Sequence, residues 1–210
     1  MQDVREPAAP LSRREQNKAA TREAIADAAL GLLRSKGPGG FTVEEIAEAA
    51  GISRRTFFNY FPSAEAAIAS ITESFLDTAI TQFLDRPDGE PLLESAQQAL
   101  IALADPMHLA ATAEVFSLTR NEPQMSRFQL EAWDNCTSRV IDAARHRLGP
   151  GPDPDELYLR SLVGAVMACG RAAMDVWFSR YGPDVSPASL KNLRQLLIDS
   201  IGHLRDGFAR

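Results

Sequence analysis

Apolar residues recur at intervals of three and four along most of the chain, the spacing of one face of an α-helix. In the first such segment the apolar residues on one face are Ile25, Ala28, Ala29, Leu32 and Leu33. The sequence shows no run with the strict alternation and β-branched enrichment of a strand. The pattern therefore predicts an all-α protein.

Capping and breaking residues mark the first four predicted helices. Helix one begins at Ser12, with a glutamate three residues later, and stops at Gly37. Helix two begins at Thr42 with the same spacing, and such capping boxes satisfy free backbone amides at a helix start. Helix three is predicted over 53–60 and helix four over about 63–84.

Five longer helices are predicted in the rest of the chain, at about 91–104, 106–120, 123–148, 154–181 and 187–208. Three of them carry proline in the first turn after a capping residue, as helix starts commonly do. These pairs are Asp105–Pro106, Asp153–Pro154 and Ser186–Pro187. We expect about nine helices, arranged as a disordered arm over 1–11, a three-helix domain over 12–62 and a larger helical domain over 63–210.

Charge is unevenly distributed along the 210 residues, of which 45% are hydrophobic and 24% charged. Residues 1–62 hold nine lysines and arginines against eight acids, whereas 63–210 hold thirteen against twenty. A weakly basic end on an acidic body, with a net charge of −6, is compatible with contact to DNA through one end only.

Signals for other functional classes are missing from the sequence. The most apolar run, 161–170, is shorter than the ~20 residues that a membrane-spanning helix needs, and the N-terminus is polar. Cys136 and Cys169 form no CxxC pair and are expected to be buried thiols. Without a metal-ligand spacing, phosphate loop or nucleophile motif, we predict a cytoplasmic non-enzyme with no catalytic residues, metal, cofactor or membrane partner.

The segment 41–62 has the pattern of two short helices joined by a tight turn, a helix-turn-helix. Ala47 is small where the second helix crosses, and Gly51 suits a turn that needs a positive φ. The spacing turns inward Ile46, Ala50, Ile52, Phe57 and Tyr60. It turns outward Ser53, Arg54, Arg55, Thr56 and Asn59. Because arginine can bond guanine and asparagine can bond adenine in the major groove, the outward set predicts sequence-specific DNA binding.

The segment from Lys18 to Ile71, with its FTVEEIAEAAGISRRTFFNYF core followed by PSAEA, resembles the DNA-binding domain of the TetR family of bacterial transcription regulators. The resemblance implies that helix three is the recognition helix and that the starts of helices one and two contact phosphates. The DNA-binding residues expected on this basis are Arg13, Arg14, Lys18, Thr42, Val43, Ser53, Arg54, Arg55, Thr56, Phe58, Asn59 and Tyr60.

Two positions depart from the usual pattern of the family. Phe58 stands where the family usually has a tyrosine whose hydroxyl touches DNA, and Ala64 stands where it usually has lysine. Affinity is therefore expected to depend more on Arg54, Arg55 and the basic arm.

The resemblance also implies a homodimer through residues 154–208, in which the last two helices of each copy form a four-helix interface. The first of these helices carries small residues that permit close approach, Gly164, Ala165, Ala168, Gly170, Ala172 and Ala173. The second carries a broad apolar face, Leu190, Leu193, Leu196, Leu197, Ile201 and Leu204. An intramolecular core is the alternative role of these faces.

Helices 91–148 and 154–181 are expected to enclose a cavity for a small apolar ligand, and their pattern resembles a TetR subgroup suggested to bind acyl-CoA-like molecules. The candidate lining residues are Leu103, Met107, Phe116, Phe128, Trp133, Met167, Met174 and Trp177, with His108, Arg120 and Arg171 as polar groups. Packing in the core is the alternative for each apolar side chain.

The function indicated by these features is a dimeric repressor that binds a palindromic double-stranded DNA operator and is released by its ligand. A ligand-independent architectural DNA-binding protein is a second interpretation. A small helical enzyme with an accessory DNA-binding head is a third.

Overall fold

The computed structural model describes residues 12–103, 106–149 and 155–209, without the side chains of 106–108. Within these ranges the chain forms nine α-helices and no strand, which confirms the predicted all-α fold. They are α1 (Arg13–Lys36), α2 (Val43–Ala49), α3 (Arg54–Phe58), α4 (Ala64–Leu84), α5 (Leu92–Leu103), α6 (Pro106–Thr119), α7 (Pro123–Leu148), α8 (Glu156–Tyr181) and α9 (Pro187–Arg205). The chain divides into two compact units, the first ending at Ala67 and the second beginning at Ile68.

The helix starts of the first unit follow the predicted capping chemistry. Ser12 and Glu15 form a complete capping box at α1, and Thr42 and Glu45 form another at α2. At α3 the hydroxyl of Ser53 accepts a hydrogen bond from the backbone N–H of Thr56 at 3.0 Å. Each bond satisfies an amide that has no partner inside its own helix.

Several predicted helix boundaries shift, and the last helix ends at Arg205 rather than at 208. The recognition helix ends at Phe58 rather than Tyr60. The N-cap of α8 is Asp155, whose carboxylate accepts from the next free backbone amides, and the predicted cap at Asp153 lies outside the described residues. Asp105 and the predicted arm over 1–11 also lie outside them.

The core of the first unit joins α1, α2 and α3. Ile25 and Leu33 of α1, Ile46 of α2 and Phe57 of α3 are fully buried, and Phe61 is almost so. Burial of such side chains is the main favourable contribution that a short helix such as α3 receives. The orientation of α3 is thus fixed by the aromatic residues on its inner face.

The second unit has two apolar clusters. One joins α4, α5, α7 and α8 through residues such as Phe83, Ile141 and Leu159. The other joins α6, α8 and α9 around Trp177 and Leu193, both fully buried. The indole Nε1 of Trp177 donates to the hydroxyl of Ser189 at 2.8 Å, so this tryptophan is a satisfied core residue.

A partly buried polar network holds the loop between α4 and α5 in place. The Glu90 carboxylate accepts two hydrogen bonds from Arg86, at 2.6 and 2.9 Å, and one from the Ser95 hydroxyl at 2.6 Å. Arg147 of α7 donates to the carbonyl oxygens of Arg86 and Pro87 at 2.7 and 2.8 Å. The loop is therefore held by one guanidinium that bonds its backbone directly.

The apolar face of α9 lies largely within the protomer. Leu190, Leu193, Leu197 and Ile201 are all buried within the chain itself, where α9 packs against α5, α6 and α8. Most of the leucine face therefore packs inside the protomer, as the alternative of an intramolecular core predicts, while Leu196 and Leu204 are only partly buried.

Helix α8 instead carries uncovered apolar surface. Leu157 is 74% exposed and Val176 is 38% exposed, and between them Gly164, Ala168 and Ala172 are also exposed. By length and composition α8 is apolar enough to cross a membrane, and only 28% of its most apolar segment is buried. The sequence pattern had indicated no such helix, because the run 161–170 was judged without its moderately apolar flanks. One helix of this kind is weak evidence, since core helices of soluble proteins meet the same criteria.

Candidate DNA-binding surface and ligand cavities

The turn between α2 and α3 sets the direction of α3. Gly51 has a φ of 67°, which only glycine adopts without steric cost. The next amide, that of Ile52, donates to the Ala47 carbonyl at 2.9 Å. Ala47 is 3% exposed, which agrees with the need for a small residue where the two helices meet. The turn and the buried ring of Phe57 together leave one side of α3 uncovered.

The uncovered side of α3 carries most of the residues predicted to face outward. Ser53, Arg54, Arg55 and Asn59 are exposed, and Thr56 is partly exposed. Part of the accessible hydrogen-bonding capacity of Ser53 and Thr56 is used locally, because their hydroxyls lie 2.8 Å apart. Arg55 and Asn59 therefore offer the most accessible hydrogen-bonding groups on this surface.

Arg54 has a defined position. Its Nε forms an ion pair with the Glu44 carboxylate of α2 at 2.6 Å, and its guanidinium carbon lies 5.3 Å from the centre of the Phe58 ring. Phe58 is 46% exposed and meets Phe57 edge-on, with 5.5 Å between the ring centres. Phe58 thus supports Arg54 by a cation–π contact, a role that differs from the phosphate contact of a tyrosine.

The residues predicted to contact phosphates lie at the surface of the first unit. Arg13, Arg14 and Lys18 are exposed on the first turns of α1, and Thr42 and Val43 open α2, with Val43 partly buried. The free amides at the start of α2 are suitable donors to a phosphate. Apart from the partly buried Val43, these residues lie on the exposed surface of the first unit.

Arg22 is a positioning residue that the sequence analysis did not single out. Its guanidinium lies 4.4 Å from the centre of the Phe61 ring, and it donates to the Tyr60 carbonyl at 3.4 Å. These contacts tie α1 to the chain that follows α3. The available signal was the position of Arg22 one turn after Lys18, on the basic side of α1.

Part of the acidic charge on α2 is neutralised. Lys36 forms an ion pair with Glu45. The hydrogen bond from Lys36, followed by those from Thr42, holds the pKa of Glu45 below its usual range. The carboxylate of Glu44 is turned to Arg54, which leaves Glu48 as an exposed acid of α2.

Three cavities of different character lie among the described residues of the second unit. The first is almost wholly apolar, has a volume of about 100 Å³, and is bounded by α4, α5, α7 and α8 with Leu197 of α9. The second, the polar pocket, has a volume of about 230 Å³ and lies between α4, α6, α7 and α8. The third is an open groove of about 710 Å³ between α7 and α8. Trp133 lines all three.

The polar pocket holds charged and neutral polar groups. The guanidinium of Arg120 lies over the rings of Phe116 and Phe178, 5.5 and 4.5 Å from their centres, and its Nη2 is 3.8 Å from a carboxylate oxygen of Asp175. The hydroxyl of Thr72 donates to Oε1 of Gln129 at 3.0 Å. Two further polar atoms in this pocket are buried without a hydrogen-bond partner among the described residues, Oγ1 of Thr112 and Nε2 of Gln129.

The cavities contain six of the eleven predicted ligand-binding residues. Phe116, Arg120, Trp133, Arg171 and Met174 line the polar pocket, and Met167 lines the apolar cavity. Leu103, Phe128 and Trp177 line none of these three cavities. The side chains of Met107 and His108 lie outside the described residues. The sequence analysis missed Thr72, Thr112 and Gln129, for which the available signal was polar residues on otherwise apolar helix faces.

The two cysteines lie apart from these cavities. Both are buried, as predicted, and burial raises the pKa of each thiol. Within the described part of the chain no three histidine, cysteine or acidic side chains converge as metal ligands would.

Comparison with known proteins relates this geometry to a family. Residues 25–69 match the family described as bacterial regulatory proteins, tetR family. The chain is 26% identical over 188 residues to the HTH-type transcriptional regulator EthR of Mycolicibacterium smegmatis, covering 85% of this chain and 84% of that protein. It is 28% identical over 183 residues to the HTH-type transcriptional regulator TcmR of Streptomyces glaucescens, covering 81% of this chain and 78% of that one.

A solved structure supports the same fold. A transcriptional regulator from Pseudomonas aeruginosa PAO1 superposes with a TM-score of 0.51 at 18% identity, covering 95% of this chain and 96% of that one. The matched segment contains the turn at Gly51 and the recognition helix α3, and the curated relatives extend over most of the remaining helices. Residues 25–69 therefore form a DNA-binding domain of the TetR family, and the chain is similar to transcriptional regulators of that family over most of its length.

Proposed function

We propose that this protein is a homodimeric repressor that binds a palindromic DNA operator and is released from it by a small apolar ligand. The observation that carries the proposal is the surface of α3. Arg55 and Asn59 are exposed there while Phe57 is fully buried beneath them. Such a helix presents side chains able to bond guanine and adenine edges in a major groove, and its buried side fixes their direction.

The proposed dimer is supported by the uncovered apolar surface of α8. Its exposed small residues recur at Gly164, Ala168 and Ala172, so a second helix can approach closely along this line. The more exposed Leu157 and Val176 lie at either end. Two copies joined in this way would present two recognition helices to half-sites one DNA turn apart, about 34–36 Å.

Release by a ligand is supported by the cavities of the second unit. A ligand shifts the equilibrium between DNA-binding and released states only by its different affinity for the two, and such couplings are typically about 1–3 kcal/mol. The apolar cavity and the polar pocket suit a molecule that is mostly apolar with some polar groups. An acyl thioester of the acyl-CoA kind is one such molecule. Because the target is DNA, we place the protein in the cytoplasm.

Selection of bound fragments from the genome of the source organism tests this function. We expect enrichment of one short palindrome, bound by two copies of the chain. Titrating apolar compounds against that complex should identify one that releases the DNA. Enrichment without a palindrome would contradict the dimeric arrangement. A palindrome that no compound releases would favour a ligand-independent architectural protein, and turnover of a compound would favour an enzyme.

A further inference from the structure

Thr112 and Gln129 have buried hydrogen-bonding atoms that the described residues leave unused. Thr112 lines the polar pocket and is 6% exposed, and its hydroxyl oxygen is buried without a partner among the described residues. The Oε1 atom of Gln129 is occupied by Thr72, which orients the amide and leaves Nε2 as a buried donor without a described partner. A buried polar atom without a hydrogen bond costs about 1–3 kcal/mol, so this pair indicates a missing polar partner.

The chemistry of these two atoms favours a neutral acceptor over an anion. An amide N–H and a hydroxyl can both donate to one carbonyl oxygen, and neither carries charge to offset a buried carboxylate. Arg120 is already near Asp175 and stacked on Phe116 and Phe178. Arg171 is exposed, where solvent weakens its attraction for a charge.

Trp133 lines both the polar pocket and the apolar cavity. The tip of its indole lies close to Gly170, and a Cβ at that position would be 3.6 Å from Cη2 of the ring. Sites for drug-sized ligands have volumes of at least ~300 Å³. Neither cavity alone reaches this volume, but the combined volume of the two slightly exceeds it. An apolar cavity of about 100 Å³ has the size that accepts a small hydrocarbon group and stays dry without one.

From this arrangement we propose that the ligand is a neutral carbonyl compound with a short apolar chain. Its carbonyl oxygen accepts hydrogen bonds from Thr112 and Gln129, and its chain enters the apolar cavity past the indole of Trp133. The inference rests on the ligand-binding part of the proposed function and specifies the chemistry of that site.

Calorimetric titration of the full-length protein with a matched set of probes tests the head group. N-butylbenzamide carries a neutral carbonyl, butylbenzene has none, and 4-butylbenzoate is an anion. We expect N-butylbenzamide to bind most tightly of the three. Equal binding of butylbenzene, or tighter binding of 4-butylbenzoate, would overturn the proposal.

Two threonines on α6 provide a matched pair of variants. Thr112→Val removes the unpaired hydroxyl, and we expect it to weaken N-butylbenzamide binding about three- to tenfold. Thr119→Val is the control, because the Thr119 hydroxyl lines the same pocket but already donates to the Val115 carbonyl at 2.7 Å. Thr112→Val should melt no lower than the wild type, since it removes an unsatisfied buried group. Equal effects of the two variants on binding would overturn the role of Thr112.

The apolar chain is tested separately by filling its cavity. Ala96→Leu places three additional carbon atoms beside the apolar cavity that Ala96 lines. The wild type should prefer N-butylbenzamide to N-methylbenzamide, and Ala96→Leu should remove this preference while keeping the affinity for the methyl compound. If Ala96→Leu still preferred N-butylbenzamide to N-methylbenzamide, the butyl group would not occupy the apolar cavity. These binding measurements contain no DNA, so a negative result would not contradict the proposed DNA-binding function. Conversely, a failure to select an operator would not affect the conclusions about ligand binding.

Discussion

The guanidinium of Arg54 forms an ion pair with the carboxylate of Glu44 across the helix-turn-helix, with 2.6 Å between Nε and Oε1. Both side chains are more than half exposed, so the pair contributes little to folding, typically ~0–1 kcal/mol. Its larger effect concerns DNA. A carboxylate beside the recognition helix competes with bases and phosphates for the guanidinium and repels the phosphates themselves.

The first prediction is that Glu44→Gln strengthens DNA binding about two- to fivefold, the range that an exposed ion pair worth up to ~1 kcal/mol allows. Affinity for an operator and for random DNA should be measured at several salt concentrations. Glu48→Gln removes the same charge from another exposed position of α2 and serves as the control. Equal gains in both variants would assign the effect to net charge and not to Arg54.

The second prediction separates base recognition from phosphate contact. Arg55→Ala should cost about 1–3 kcal/mol on the operator and relax sequence preference, because a bidentate base contact is lost. Lys18→Ala should weaken all sequences alike and reduce the salt slope by about one. Fluorescence anisotropy with operator and scrambled duplexes checks both. An Arg55→Ala protein with full affinity and specificity would remove α3 from the interface.

The third prediction concerns acid stability. Hydrogen bonds from Arg86, and then from Ser95, lower the pKa of Glu90 from 4.5 to about 2. Because the folded-state pKa is depressed, the stabilisation is complete above pH 4.5 and is lost as the pH falls towards 2. The free energy of unfolding, measured by urea titration across this range, should depend less on pH in Glu90→Gln.

A surface glutamate gives the comparison for that experiment. Glu131 forms an exposed pair with Arg127 on α7, and exposed pairs of this kind stabilise little. Glu131→Gln should therefore retain the wild-type pH dependence. If Glu90→Gln did the same, the network around Arg147 would not be a source of acid sensitivity.

The fourth prediction tests the proposed interface. Ala168 is exposed on α8, so Ala168→Glu should leave the protomer folded while placing a charge in the centre of the dimer contact. Sedimentation at micromolar concentration should show the wild type at twice the chain mass and the variant as a monomer with weakened operator binding. Ser138→Glu, at an exposed position of α7, is the control. A wild-type monomer that still binds its palindrome tightly would contradict the interface.

The helices of the first unit could be predicted from the sequence because local interactions determine where they begin and turn. The capping boxes at Ser12 and Thr42 and the glycine at position 51 act within a few residues, so their consequences follow from the order of the residues. The end of α3 was less certain, because Asn59 and Tyr60 continue the polar and apolar pattern after the helical hydrogen bonds have stopped.

The packing of the second unit could not be predicted from helical periodicity alone. Periodicity identifies the apolar face of α9, but only the packed structure shows that Leu193 is covered by its own protomer while Leu157 of α8 is not. In the same way, the sequence does not show whether the hydroxyl of Thr112 has a partner. That property depends on where α4, α7 and α8 place their side chains around it.

The two tryptophans have different surroundings, so intrinsic tryptophan fluorescence can report ligand binding. Trp177 is fully buried and bonded to Ser189, so its emission should be blue-shifted and insensitive to small molecules. Trp133 lines the cavities, and its emission should change when a compound enters them. A ligand-dependent spectrum can therefore be assigned to one indole against a constant internal reference, and Trp133→Phe should abolish the response without removing that reference.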